Sequence, residues 1–122
     1  MSGGKDHVPL LRLHCEKILQ WMDARTFADW GRDEILRDAV CMRLFALAEA
    51  VKAYLSVRSD LPDLYPEIAW DDIVRFRDRA AHHYEGLDYD VIWDVATGDI
   101  PPLLAVVERM ERDSQRSGEA PG

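Results

Sequence analysis

Between positions 77 and 84 the chain reads Arg77-Asp78-Arg79-Ala80-Ala81-His82-His83-Tyr84, which brings a guanidinium, an imidazole and a phenol within about two helical turns of one another. Arginine stays protonated and grips phosphate oxygens in a planar fork, and histidine takes up or releases a proton near neutral pH. Together these groups suit phosphate chemistry that needs no metal. Ala80 and Ala81 are small, so a second helix or a backbone can approach this surface closely. At about 100° per residue, Arg77 and Tyr84 share nearly one face, whereas Asp78 and His82 form an i,i+4 pair on an adjacent face. Arg77 and His82 are therefore not stacked within one regular helix. Both reach a single phosphate only if the last turn loosens or a second copy supplies the missing group across a symmetric interface. A homodimeric working unit is the expectation.

The scaffold that must position this segment is bounded by composition. A chain of 122 residues, 48% apolar and 31% charged with 7 glycines and 6 prolines, fits one helical globular domain with a real core and argues against disorder. No run approaches the ~18 apolar residues that cross a bilayer, and Met1-Ser2-Gly3-Gly4-Lys5 has no apolar signal core. A cytoplasmic protein without a membrane partner is expected. Cys15 and Cys41 lie among apolar residues with no CxxC spacing and no matching histidines, so they read as reduced packing residues, with no metal and no cofactor. The formal net charge of −8 excludes the broad basic face of most nucleic-acid binders. Any such contact must be local, and Arg75, Arg77 and Arg79 are expected to form one positive patch.

Apolar spacing predicts a first helix from about Pro9 to Asp23, with Leu10, Leu13, Ile18 and Trp21 on its inner stripe. Thr26 to Gly31 interrupts the pattern. Asp33 can cap a second, longest helix running to Val57, with Leu36, Val40, Leu44, Leu47, Val51 and Tyr54 at three- and four-residue steps. Leu61 to Pro66 is a connector whose two prolines exclude regular helix. A third helix runs from Trp70, with Asp71 and Asp72 at the positive end of its dipole, to about Tyr84. A short helix over 90–96, a break at Thr97-Gly98-Asp99 and a final helix opened by Pro101-Pro102 complete the pattern. Residues 1–112 then form one domain, and 113–122 read as a flexible tail. With no alternating strand pattern, the expected fold is all-α, an antiparallel bundle of four to five helices.

The order Trp70-x-x-Ile73-x-x-x-Arg77-Asp78-x-x-x-His82-x-Tyr84, then Leu87-Asp88, Val91-Ile92-Trp93 and Asp99-Ile100-Pro101, resembles the HepT-like branch of the HEPN superfamily. Thr26-x-x-Asp29 with Phe27, and Ala46-Leu47-Ala48-Glu49-Ala50, are similar to that family's loop after the first helix and its second-helix signature. The resemblance covers about residues 7 to 110. It implies the toxin half of a toxin–antitoxin pair whose partner is a MntA-type minimal nucleotidyltransferase. It further implies a helical homodimer in which two copies of the motif line one cleft and cleave RNA without a metal. Arg77 and His82 take the motif's catalytic positions, and Tyr84 takes that of the tyrosine which the antitoxin silences with AMP groups. Asp78 stands where many relatives have asparagine, and His83 fills the variable position.

On this reading His82 transfers protons, Arg77 binds the phosphate and stabilises the charge that develops on it, and Asp78 and His83 support them. Arg75 and Arg79 are candidate RNA contacts. Glu49 either reaches the cleft from the second helix or pairs with a basic neighbour. His7 and His14 have no partner spacing and no assigned role. The alternative is a non-catalytic helical subunit that binds RNA or nucleotide for a nucleotidyltransferase, which suits the acidic charge.

Overall fold

The computed structural model describes residues 7–82 and 86–116, and for Ala81 and His82 the backbone alone. Its helices are α1 (His7–Met22), α2 (Phe27–Arg32), α3 (Glu34–Val57), α4 (Leu61–Leu64), α5 (Trp70–His82), α6 (Tyr89–Asp94) and α7 (Ile100–Arg116). Among the described residues there is no strand, and no helix is long and apolar enough to cross a membrane. The long helices α1, α3, α5 and α7 form the all-α bundle: α3 packs against α1 and α5, and α7 closes against α1. His7 stacks on Tyr54, and Arg43 bonds His14 further along, so α1 and α3 run antiparallel.

The inner stripe of α1 is Val8, Leu11, Cys15, Ile18 and Met22, and Leu10 and Leu13 stay largely exposed. This corrects the expected stripe. The line through positions 10, 13 and 17 carries the charged Lys17, whereas positions 8, 15 and 22 and positions 11 and 18 repeat every seven residues without a charge. After α1 the chain turns at Ala24, whose φ of 60° lies in the left-handed region. An alanine there costs roughly 1–2 kcal/mol that a glycine avoids, although glycine loses some of this to chain entropy. Ala24→Gly is expected to stabilise the fold by roughly 0.5–1 kcal/mol, read as a raised melting temperature.

Each of three segments expected to break the helical pattern holds a helical turn, although Tyr65 and Pro66 stay non-helical as expected. Thr26 caps α2 through a capping box: its Oγ1 accepts from Asp29 N at 3.1 Å, and Asp29 Oδ2 accepts from Thr26 N at 2.9 Å. The bond from the Thr26 backbone N–H, followed by the Thr26 side chain, holds the Asp29 carboxyl below its usual range. Six residues are too few for periodicity to register, and the cap makes the turn. Leu61-Pro62 opens α4 because proline in a first helical turn gives up no hydrogen bond that the helix would use.

The expected break at Thr97 to Asp99 is a widened π turn, Val95–Asp99, that carries the chain from α6 directly into α7. Pro101 and Pro102 have no N–H to return to the carbonyls four residues earlier, and the wider turn also clears their rings. Helix α7 extends past Asp113 to Arg116, and Asp113 Oδ2 accepts from Tyr65 Oη at 2.7 Å. Burial first, and then this bond, push the Tyr65 phenol up to about 12.

Buried Cys15 and Cys41 are free thiols, pushed up to about 12 and about 11 chiefly by desolvation, as packing residues should be.

Candidate functional site

Helix α5 is fixed at its start by Trp70, which is buried and donates its indole N–H to Tyr65 O at 2.9 Å. Two turns later the helix meets α3, and there Arg77 is turned toward it. The guanidinium Nε donates to Glu49 Oε1 on α3, and Nη1 donates to Asp78 Oδ1 at 3.2 Å. Lys52, one turn after Glu49, donates from Nζ to the same Asp78 oxygen at 2.9 Å. The result is an alternating chain of charges, Glu49, Arg77, Asp78 and Lys52, that ties α3 to α5.

The electrostatics follow from these contacts. Hydrogen bonds to Glu49 and then Asp78 raise the Arg77 guanidinium above its already high value, so it is permanently charged. The Lys52 ammonium and then Arg77 hold the Asp78 carboxyl below its usual range. Pairs this exposed add little stability, and their consequence is geometric. With Nε and Nη1 engaged, the Arg77 fork is held in one orientation, and among the described residues its Nη2 meets no acceptor. The Arg77 side chain is 27% exposed, so part of it is open to solvent.

The other candidates are distributed as helical geometry requires. Arg75 pairs with Asp72 one turn earlier, and Arg79 is exposed with no ion pair among the described residues. Residues two apart point to opposite sides of a helix, so Arg75 and Arg79 share the outer face while Arg77 faces α3. The three do not form one patch. The backbone of α5 continues to His82, five residues beyond Arg77. The side chain of His82, together with His83 and Tyr84, lies outside the described residues.

Two side chains take definite places here. Glu49, left between cleft and basic neighbour by the sequence, is the acceptor that orients Arg77. Lys52 was missed. Its signal was the one-turn spacing of Glu49 and Lys52 on α3 against the adjacent opposite charges Arg77 and Asp78 on α5. His14 is 7% exposed and its Nδ1 accepts from Arg43 Nη1 at 3.1 Å, and burial followed by the arginine lowers its pKa. It remains neutral at physiological pH, in a packing role.

Comparison with known proteins identifies the family to which this bundle belongs. The family model described as ribonuclease HepT-like matches residues 11–110. The chain is 31% identical over 108 residues to a protein of Thermococcus cleftensis named as a probable ribonuclease HepT, covering 88% of this chain and 96% of that one. It is 29% identical over 102 residues to a Methanocaldococcus jannaschii protein with a provisional RNase name, covering 84% and 82%. A similarly named protein of Caldanaerobacter subterraneus is 28% identical, covering 90% and 96%. No solved structure matches the chain significantly. With its helical bundle and its match over nearly the whole of that bundle, the chain belongs to the ribonuclease HepT-like family of HEPN proteins.

Proposed function

We propose that this chain is a homodimeric endoribonuclease that needs no metal and serves as the toxin of a pair with a MntA-type nucleotidyltransferase. The observation that carries the reading is the orientation of Arg77 by Glu49, with no acceptor on its Nη2 among the described residues, on the helix that runs on to His82. An imidazole removes the 2′-hydroxyl proton, the 2′-oxygen attacks phosphorus, and the 5′-oxygen leaves with a proton from an acid. The products are a 2′,3′-cyclic phosphate and a 5′-hydroxyl. Two copies of His82 across one cleft supply base and acid, and the Arg77 forks hold the phosphate oxygens as negative charge builds on them. Asp78 and His83 support this chemistry, and Arg75 and Arg79 contact flanking phosphates from the outer face of α5. Tyr84 carries the AMP groups that silence the protein.

The test is RNA cleavage by purified, unmodified protein with and without excess chelator, followed by intact mass after incubation with the nucleotidyltransferase and ATP. Cleavage should persist in chelator, end in cyclic phosphate, and stop once AMP masses appear on Tyr84. Cleavage that chelator abolishes would sink the metal-free reading.

One observation favours the second reading, a subunit that binds RNA or nucleotide without cutting it. Glu49 and Asp78 place two carboxylates on the guanidinium meant for phosphate, and a charge so compensated attracts an anion less strongly. That reading requires the folded, unmodified protein to bind RNA and leave it intact.

A further inference from the structure

Helix α3 carries two apolar stripes. The core stripe, including Leu36, Val40, Leu44 and Val51, is buried against the bundle. On the opposite side Ile35, Ala39, Met42, Ala46, Glu49 and Ala53 recur at alternating steps of four and three, the spacing of a helix-to-helix seam. Among the described residues its two large side chains are left uncovered, Ile35 83% and Met42 58% exposed, while Glu49 at its margin accepts from Arg77 of α5.

We propose that this outer stripe is the face on which a second copy of the chain docks, with the two α3 helices antiparallel. The inference rests on the dimeric reading above and names the surface that makes the dimer. The stripe is self-complementary in size. In the register that sets Ala46 against the partner subunit's Met42, Ala53 meets the partner subunit's Ile35 and Ala39 meets the partner subunit's Glu49. Each large side chain therefore lies over an alanine, and the backbones can approach closely. One edge of the stripe is also complementary in charge. Next to α5, Asp38, which accepts from Tyr89 Oη of its own chain, falls opposite the partner subunit's Lys52, and the half-buried Phe45 meets the partner subunit's Phe45 at the two-fold axis. Along the edge next to α1, Arg43 approaches the partner subunit's Arg43. Each Arg43 is already turned onto its own Trp21 ring, 5.2 Å from the centroid, and bonded to its own His14.

This surface completes the site. A two-fold axis passing between the two α3 helices, normal to the plane that holds them, exchanges them with reversed direction and keeps both α5 helices on one side of that plane. Both α5 helices, with both Arg77 guanidiniums, then border the same cleft. Glu49 sits in a contact layer, so association excludes water from the pair that orients Arg77.

Cross-linking of the full-length chain tests the register. Ile35 and Ala53 lie eighteen residues apart on one helix, about 27 Å at 1.5 Å per residue, too far for a bridge within one chain. The double variant Ile35→Cys/Ala53→Cys is expected to form a doubly linked covalent dimer under mild oxidation, and Ala53→Cys alone is not. Native Cys15 and Cys41, buried and with raised thiols, stay out of the reaction. Met42→Glu, at an exposed position, is expected to leave the helical circular dichroism unchanged and to weaken the dimer by about 30-fold or more in sedimentation equilibrium.

A dimer indifferent to Met42→Glu, a double variant that does not cross-link, or a wild type that stays monomeric at high micromolar concentration would each overturn the proposal. A cross-linked dimer that never cleaves RNA would end the ribonuclease reading and keep the interface. A cleaving protein whose dimer ignores both variants would do the reverse.

Discussion

Arg77→Ala and His82→Ala are each expected to lower RNA cleavage by about 10²–10⁴-fold and to leave the helical content and the proposed dimer in place. The magnitude for Arg77 follows from its proposed task, since one preorganised donor to a developing oxyanion is typically worth about 10²–10³ in rate. The fold tolerates the change because the side chain is partly exposed and its pairs with Glu49 and Asp78 are wet. Arg77→Lys separates charge from shape. It keeps the cation and loses the planar fork that Glu49 orients, so it is expected to recover only a small part of the activity.

The pH profile identifies the imidazole. Lys52 and Arg77 hold the Asp78 carboxyl below its usual range, so Asp78 is ionised throughout the region near pH 6.5 where an ordinary histidine titrates, about two units or more above a carboxylate. A limb in the rate near neutrality then belongs to histidine, and His82→Ala should remove it. The sign for stability is equally defined. The folded-state value of Asp78 is depressed, so its contribution is present above the unfolded carboxyl value and is lost as pH falls through the lower folded value. Well-folded Arg77→Ala and His82→Ala proteins that cleave RNA within about threefold of the wild type, against the ~10²–10⁴-fold loss that acid–base and oxyanion roles require, would sink the catalytic assignment.

The second large effect is on stability. Trp30→Ala is expected to cost about 3–5 kcal/mol, the usual range for a fully buried tryptophan. Trp30 is 1% exposed on a helix of only six residues, yet it joins distant parts of the chain. Its Nε1 donates to Tyr89 O at 3.0 Å, and its ring lies against Trp93 at 6.0 Å and Tyr89 at 6.4 Å between centroids. Removing it leaves a cavity, takes the indole hydrogen bond from the Tyr89 carbonyl and leaves two aromatic rings without this neighbour. Trp30→Phe keeps most of the volume and loses the indole donor, so it should fall well short of that cost. Urea titration of the two variants gives the comparison, and near-equal midpoints for Trp30→Ala and wild type would overturn it.

Trp30 also illustrates how far the sequence carries. Its segment lacked a repeating apolar step, so it registered as an interruption between two helices. The Thr26 and Asp29 capping box was legible only as a short family-like motif. That the capped turn docks a tryptophan on α6 depends on a partner fifty-nine residues away, which no local pattern encodes. The π turn at Val95–Asp99 is similar: the glycine and two prolines that suggested a break are accommodated by widening one turn.

By itself the sequence determined the all-α bundle, the span and inner stripe of α3, the start of α5 at Trp70, and the placement of Arg77 five residues before His82. These rest on helical periodicity, capping and spacing, which act within a few residues and are written directly into the order of side chains. The family followed from that order as well. The tertiary structure alone decided that Glu49 orients Arg77, that Lys52 and Arg77 together engage Asp78, that Arg75 and Arg79 face away from Arg77, and that Ile35 and Met42 stay uncovered on α3. Each of these depends on how α3 is rotated and shifted against α5 and α1. Rotation and shift are set by the packing of the whole core, because close-packed helices admit few relative positions and a single sequence window holds only one side of the contact.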